Sequence, residues 1–249
     1  MPQQLLLVSS SRCHPHGYLE HCESEIRQLF AATSEVLFVP YARPSGHSHD
    51  EYTAVARERF QQMGLTLRGV HEFEDPQTAV EQAQGVFIGG GNTFVLLRDL
   101  YAHDLIPILR KRIQAGMPYM GTSAGSNMAG LSIGTSNDMP IVHPPSFEAL
   151  GVVPFNLNPH YPSAPPDPNH KGETRDDRIA EFHVFNSQPV VALYEDGMLR
   201  VSGPDVRLIG QRHALLFRQG RDVERVAPGP IPPELFRVGT STSASSVID

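Results

Sequence analysis

Only two cysteines occur in the 249 residues. The sequence also has no apolar run of membrane-spanning length and no excess of basic charge, and each shortage removes a class of function. Cys13 and Cys22 are too few to staple a chain of this size, and their spacing fits no zinc pattern, so they read as reduced structural thiols. The formal net charge is −7, whereas a nucleic-acid surface needs clustered positive charge. The one basic cluster, Arg110 to Arg112, suits a helix C-terminus better than a binding patch. The opening MPQQLLLVSSS has no basic n-region and only a short apolar run, so it reads as neither a secretion signal nor a span. The expectation is a soluble cytoplasmic protein with no nucleic-acid or membrane partner.

Neither a G-x-x-x-x-G-K-S/T loop nor a dinucleotide-type G-x-G-x-x-G is present, which argues against a nucleotide phosphate cradle. Internal repeats are also absent. What remains is ordinary globular material, 40% hydrophobic and 19% charged, enough for one α/β domain with a sizeable core. Residues 1–238 read as that domain. The polar tail 239–249, with its run of small residues, reads as disordered.

Short apolar runs alternate with amphipathic stretches. Strands are expected over 5–10, 35–42, 65–73, 85–91 and 118–123, and helices over 18–32, 50–63, 76–84 and 92–115. This alternation predicts a three-layer α/β/α, doubly wound, mostly parallel sheet with right-handed crossovers. Ligands on such sheets bind at the carboxyl ends of the strands. A proline-rich loop between Asp138 and Arg175 interrupts the pattern. A helix is expected to open between Gly172 and Phe182, then a strand over 189–197, then terminal antiparallel hairpins in MLRVSG and DVRLIGQRHALLFRQG.

Two glycine-rich stretches carry the chemistry. Gly121-Thr122-Ser123-Ala124-Gly125 is a G-x-S-x-G placed after an expected strand and before an expected helix. A serine on such a turn is lifted clear of the sheet and backed by helix N–H groups. The bland alternative is a small-residue packing turn. Gly89 to Thr93, GGGNT, also follows a strand, and its glycines let backbone N–H groups approach an anion or a developing oxyanion. Serine needs a base, and the chain has twelve histidines. His160, in NLNPHY, stands slightly ahead of His143 and His170. Asp138 and Glu195 could each orient an imidazole. From the residues alone the reading is serine-dependent acyl transfer with its partners unassigned.

DEYT (Asp50 to Thr53), IGGGNTF (Ile88 to Phe94), GTSAGSN (Gly121 to Asn127), SNDMPIV (Ser136 to Val142), LNPHY (Leu157 to Tyr161) and HKGETRDDRI (His170 to Ile179) together resemble serine peptidase family S51, in the family's order, over roughly residues 3 to 220. The resemblance implies a class I glutamine-amidotransferase-like (flavodoxin-like) fold and hydrolysis of dipeptides with N-terminal aspartate, without metal or cofactor. It makes Ser123 the nucleophile and His160 the base. Glu195 is the favoured third member, Asp138 the fallback, and Asp196 stays open because the chain reads YEDG. Oxyanion donors would be the N–H groups of Ala124 and of Gly91, with Gly90 next. Arg175 would hold the substrate's aspartyl carboxylate. The implied partner is a small Asp-X peptide, with a homodimer left open. A cyanophycinase-like β-aspartyl hydrolase and an inactive ligand-binding relative are the alternatives.

Overall fold

The computed structural model describes residues 2–163 and 172–237. The expected tail, 239–249, and residues 164–171 of the proline-rich loop, His170 included, lie outside the described residues.

The first half alternates as its periodicity predicts: β1 (Gln4–Val8), α1 (Glu23–Leu29), β2 (Glu35–Val39), α2 (His49–Gln62), β3 (Thr66–Gly69), α3 (Pro76–Gln82), β4 (Val86–Ile88), α4 (Thr93–Ala102), α5 (Leu105–Gln114), β5 (Tyr119–Thr122) and α6 (Ala124–Ala129). Then follow β6 (Asn156–Asn158), α7 (Arg175–Phe185), β7 (Val190–Ala192), β8 (Met198–Ser202), β9 (Asp205–Ile209), β10 (Ala214–Phe217), β11 (Glu224–Val226) and β12 (Gly229–Ile231). The helix starts carry their own signals. Ser48 and Glu51 form a reciprocal capping box at α2. Asp75 caps α3 ahead of Pro76, and Asn92 caps α4.

An eight-stranded sheet has the order β12-β9-β8-β1-β5-β4-β2-β3. Its β1, β5, β4, β2 and β3 run parallel, while β8, β9 and β12 extend it antiparallel. Successive side chains of β1 serve opposite faces, as the pleat requires. Leu6 and Val8 pack with Ile26 of α1 and with Ala56 and Phe60 of α2. Leu5 and Leu7 belong to the core that holds Leu96, Leu109 and Met128 of α4, α5 and α6. Helices therefore cover both faces. A four-stranded sheet, β11-β10-β7-β6, packs on α7 through Ile179, Val190, Ala192, Leu215 and Phe217.

Several expectations are corrected. The single helix expected over 92–115 is two, with Asp104 between them at φ 52°. Pro107 is the cause, because in an unbroken helix its ring would strike the carbonyl of His103. The strand expected over 65–73 stops at Gly69 and turns into a short 3-10 helix at Val70–Glu72, held by the Glu72 carboxylate accepting from the Gly69 N–H at 2.7 Å. β9 and β10 are not a hairpin; they belong to different sheets. The second sheet, with the three-residue β6, was not expected at all. Among the described residues no helix is long and apolar enough to cross a membrane.

Candidate active site

The carboxyl ends of β1, β4 and β5 meet where the parallel strands are adjacent. Ser123 leaves β5 at φ 51°, ψ −111°, a conformation that ordinary side chains avoid. The flanking glycines make that turn possible. A Cβ on Gly121 would lie 2.4 Å from the Gly125 carbonyl oxygen, and one on Gly125 would lie 2.1 Å from that of Ile88. The Ser123 N–H donates to the Val8 carbonyl at 3.0 Å, tying the turn to β1.

His160 comes from the second sheet. Parallel pairing of β6 with β7 sets Asn158 opposite Ala192. Beyond that pair the chains stay bonded, Leu193 N–H to Asn158 O at 3.1 Å and Tyr161 N–H to Leu193 O at 2.9 Å. The His160 N–H donates to Ser9 Oγ at 2.9 Å, and Ser9 Oγ donates to Leu193 O at 3.0 Å. So fixed, and itself at φ 56°, His160 places Nε2 2.8 Å from Ser123 Oγ and Nδ1 2.9 Å from Glu195 Oε1. With the proton on Nδ1, the ring donates to Glu195 and accepts from the Ser123 hydroxyl. The hydrogen bond from His160 holds the Glu195 carboxyl below the usual range; burial opposes that, and the His160 and Arg212 charges reinforce it.

The other two candidate acids are engaged elsewhere. Burial works against ionisation of Asp196, but Arg212 and the Gln211 N–H overcome it and keep the carboxyl below its usual range. Arg212 grips Asp196 through Nε and Nη2 at 3.0 and 2.8 Å. The fallback role for Asp138 is corrected by its position, because its Oδ2 accepts from the Thr93 N–H at 2.8 Å and from the Thr93 and Ser136 hydroxyls. Asp138 anchors the start of α4 and makes no hydrogen bond with His160.

The GGGNT turn is clamped from below by Tyr52, a residue that sequence reasoning quoted within DEYT without giving it a part. The Tyr52 hydroxyl accepts the Gly90 N–H at 3.0 Å and donates to the Gly90 carbonyl at 3.3 Å. Gly90 is thus corrected as an oxyanion donor, since its N–H is already bound. The N–H groups of Gly91 and Ala124 make no hydrogen bond among the described residues. Gly91 sits at φ +147°, and a Cβ there would lie 2.2 Å from the Ala42 carbonyl oxygen.

Arg175 opens α7 with its Nη1 donating to Asn158 Oδ1 at 3.2 Å, and Asn158 Nδ2 donates to the Thr135 carbonyl. Burial lowers the basicity of the half-buried guanidinium, Arg178 adds to that, and Tyr161 and Asp138 act against it. Neither neighbouring acid pairs with it. Asp176 accepts from the Tyr161 hydroxyl, and Asp177 caps the helix through Thr174. Of the other histidines weighed, His143 makes a ring contact of 3.2 Å to the Pro144 carbonyl. Among the described residues no group of three or more His, Cys, Asp or Glu side chains could hold a metal. Taken together, the arrangement offers a hydroxyl, a base with an oriented proton, two unused N–H donors and a cation.

Comparison with known proteins gives a consistent result. The model of peptidase family S51 matches residues 5–209. A probable alpha-aspartyl dipeptidase of Drosophila melanogaster is 49% identical over 229 residues, covering 91% of this chain and 94% of that protein. A peptidase E of Streptomyces coelicolor is 47% identical over 234 residues, covering 94% and 95%. Two solved structures share the fold. A peptidase from an acI-B1 Actinobacterium has a TM-score of 0.67 at 17% identity, covering 93% of this chain and 97% of that one. A putative peptidase E from Listeria monocytogenes has 0.64 at 19%, covering 85% and 100%.

Proposed function

The chain belongs to peptidase family S51, and from that premise we propose that this hydrolase is a serine dipeptidase cleaving peptides with N-terminal aspartate. The observation that carries the mechanism is the unbroken hydrogen-bonded line from Ser123 Oγ through His160 to Glu195, at 2.8 and 2.9 Å. The relatives' names carry the substrate class. The same reading groups the three-layer fold with the class I glutamine amidotransferases.

In the proposed reaction Ser123 Oγ attacks the scissile carbonyl carbon while its proton passes to His160 Nε2. Glu195 holds the imidazole in the reactive tautomer and stabilises the cation that forms. The carbonyl oxygen becomes an oxyanion facing the N–H groups of Gly91 and Ala124, where one donor is typically worth about 100- to 1000-fold in turnover. Collapse of the intermediate breaks the C–N bond. His160 returns its proton to the leaving amine, and the aspartyl group remains as an ester on Ser123. Water, deprotonated by His160, then hydrolyses the ester and restores the enzyme. Arg175 supplies the fork that holds the aspartyl carboxylate, a geometry lysine does not reproduce.

Rapid acid quenching of the enzyme turning over Asp-Leu, followed by peptide mapping, tests the covalent step. An aspartyl adduct on the Ser123 peptide, absent from Ser123→Ala, is expected. Turnover with no adduct and no loss of activity in Ser123→Ala would remove the serine from the mechanism.

A further inference from the structure

An Asp-X dipeptide brings two carboxylates to this reaction. One is the aspartyl side chain, which the proposed site meets at Arg175. The other is the C-terminal carboxylate of the leaving residue, separated from the scissile nitrogen by a single carbon. In a longer peptide an uncharged amide stands at that place. A cation on the leaving-residue side of Ser123 would therefore sense the length of the peptide as well as hold it.

Arg43 has that position. It follows Ala42 beyond the carboxyl end of β2, and the Ala42 carbonyl accepts the Asn92 N–H at 2.7 Å and lies against Gly91. The Arg43 guanidinium stands 4.6 Å from the centroid of the Tyr52 ring, whose hydroxyl binds the Gly90 N–H. A Cβ on Gly90 would lie 3.1 Å from the Cβ of Ser123. Ser123, Gly90, Tyr52 and Arg43 thus form one continuous run of contacts. Arg175 reaches the site by another route. Tyr52 packs with Ile26 of α1 and Phe60 of α2 on one face of the large sheet. Arg175 rests on Asn158, next to Leu157, which belongs to the core on the face of α4 and α6. The two arginines stand on opposite faces, with Ser123 between them at the end of β5.

Stacking on Tyr52 uses the face of the guanidinium and leaves its edge, where the N–H groups lie, for a planar anion. The side chain is only partly buried, and its Nε is buried without a partner. Among the described residues no carboxylate lies within 4.0 Å of it. A charged fork left without a counter-ion near a nucleophile suits a carboxylate on the ligand. The surroundings add no competing anion. Burial, with Tyr52 contributing, holds the Tyr18 hydroxyl well above the usual phenol range against the pull of Arg43, so Tyr18 stays neutral. Arg12, over the Tyr18 ring at 5.7 Å, makes the rim more positive still.

We infer that Arg43 receives the C-terminal carboxylate of the leaving residue and so favours dipeptides over longer peptides. This rests on the Asp-X reading above and extends it from the first residue of the substrate to the second. The contact is to the main-chain carboxylate, so it selects length and not the second side chain.

The test compares Asp-Leu with Asp-Leu amide, which keeps the aspartyl group and the scissile bond and lacks only the terminal charge. Wild type is expected to prefer Asp-Leu by about 10- to 100-fold in kcat/KM, the size of a close charge pair that water partly reaches. Arg43→Met, which keeps an apolar cover on the Tyr52 ring, should bring Asp-Leu down to the level of the amide and leave the amide unchanged. Arg175→Ala should weaken both compounds alike. An equal loss on both in Arg43→Met would reduce the arginine to a support for Tyr52 and overturn the proposal, as would a preference for Asp-Leu that survives the substitution. Arg43→Gln carries the same expectations should Arg43→Met not fold. Equal wild-type kcat/KM on the two compounds overturns the proposal without any variant. Wild type that cleaves neither compound overturns the Asp-X reading, and this one with it.

Discussion

Ser123 is held at φ 51° although it has a Cβ, and a non-glycine residue in such a conformation costs on the order of 1–3 kcal/mol. That strain belongs to the turn, so its removal should show as stability. Ser123→Gly is expected to be inactive and more resistant to urea than Ser123→Ala by about 1 kcal/mol, measured by equilibrium unfolding. Equal stability of the two would mean that the turn is not strained. Glu195 makes a second test at this scale. Its carboxyl titrates lower in the folded protein than when unfolded, so it contributes stability above its ordinary pKa and loses it as the pH falls through the folded value. The urea midpoints of wild type and Glu195→Gln should therefore differ at pH 7, and the gap should close as the pH falls through the carboxyl's lowered range. A gap independent of pH would show that the His160 bond does not set the ionisation of Glu195. In turnover Glu195→Gln should lose about 10⁴-fold in kcat, the size seen when the orienting acid of a triad is neutralised.

At the scale of elements, the β4–α4 turn matters most, because it carries Gly91 and is held by a side chain from α2. Tyr52→Phe keeps the ring packed on Phe38, with ring centroids 5.1 Å apart, and loses only the hydroxyl that binds Gly90. With the turn free to rotate, kcat should fall about 10- to 100-fold, somewhat less than the loss of a whole oxyanion donor, with KM little changed. A rise in KM at constant kcat would assign Tyr52 to binding instead. Elements also mark how far the sequence could be read. The small-residue pattern about Ser123 predicts a strand-to-helix turn, and that turn is present, because its causes are local: two glycines, a short apolar strand and a following helix. The causes that place His160 are not local. β6 is three residues, Asn156–Asn158, too short for any alternation to register, and only its pairing with β7 brings His160 to Glu195. Local pattern alone sets His160 only slightly ahead of His143. Tyr52 gave no signal beyond its motif, since its contact with Gly90 spans 38 residues. The single helix expected over 92–115 fails for a different reason: the apolar period runs through Pro107, whose ring breaks the helix.

For the molecule as a whole, the site is a joint product of two sheets. The large sheet supplies Ser123, Gly91 and, through β1, the Ser9 hydroxyl that fixes His160. The small sheet supplies His160, Glu195 and Asn158, against which Arg175 lies. Neither sheet alone carries the hydrogen-bonded line from Ser123 to Glu195, and the two share one core, since Leu157, Val191 and Leu216 of the small sheet belong to the cluster that holds Leu5 and Leu7 of β1. Although the net charge is −7, Arg175 gives the site a local cation. In the proposed reaction the acidic dipeptide would be selected by that contact rather than by the field of the molecule. The measurement that tests this account most directly is hydrolysis of Asp-Leu, Glu-Leu and Ala-Leu by wild type and Ser123→Ala, with a chelator present. Cleavage of Asp-Leu alone, unaffected by the chelator and lost in Ser123→Ala, is the predicted result. Equal cleavage of Ala-Leu, or activity surviving in folded Ser123→Ala, would contradict it.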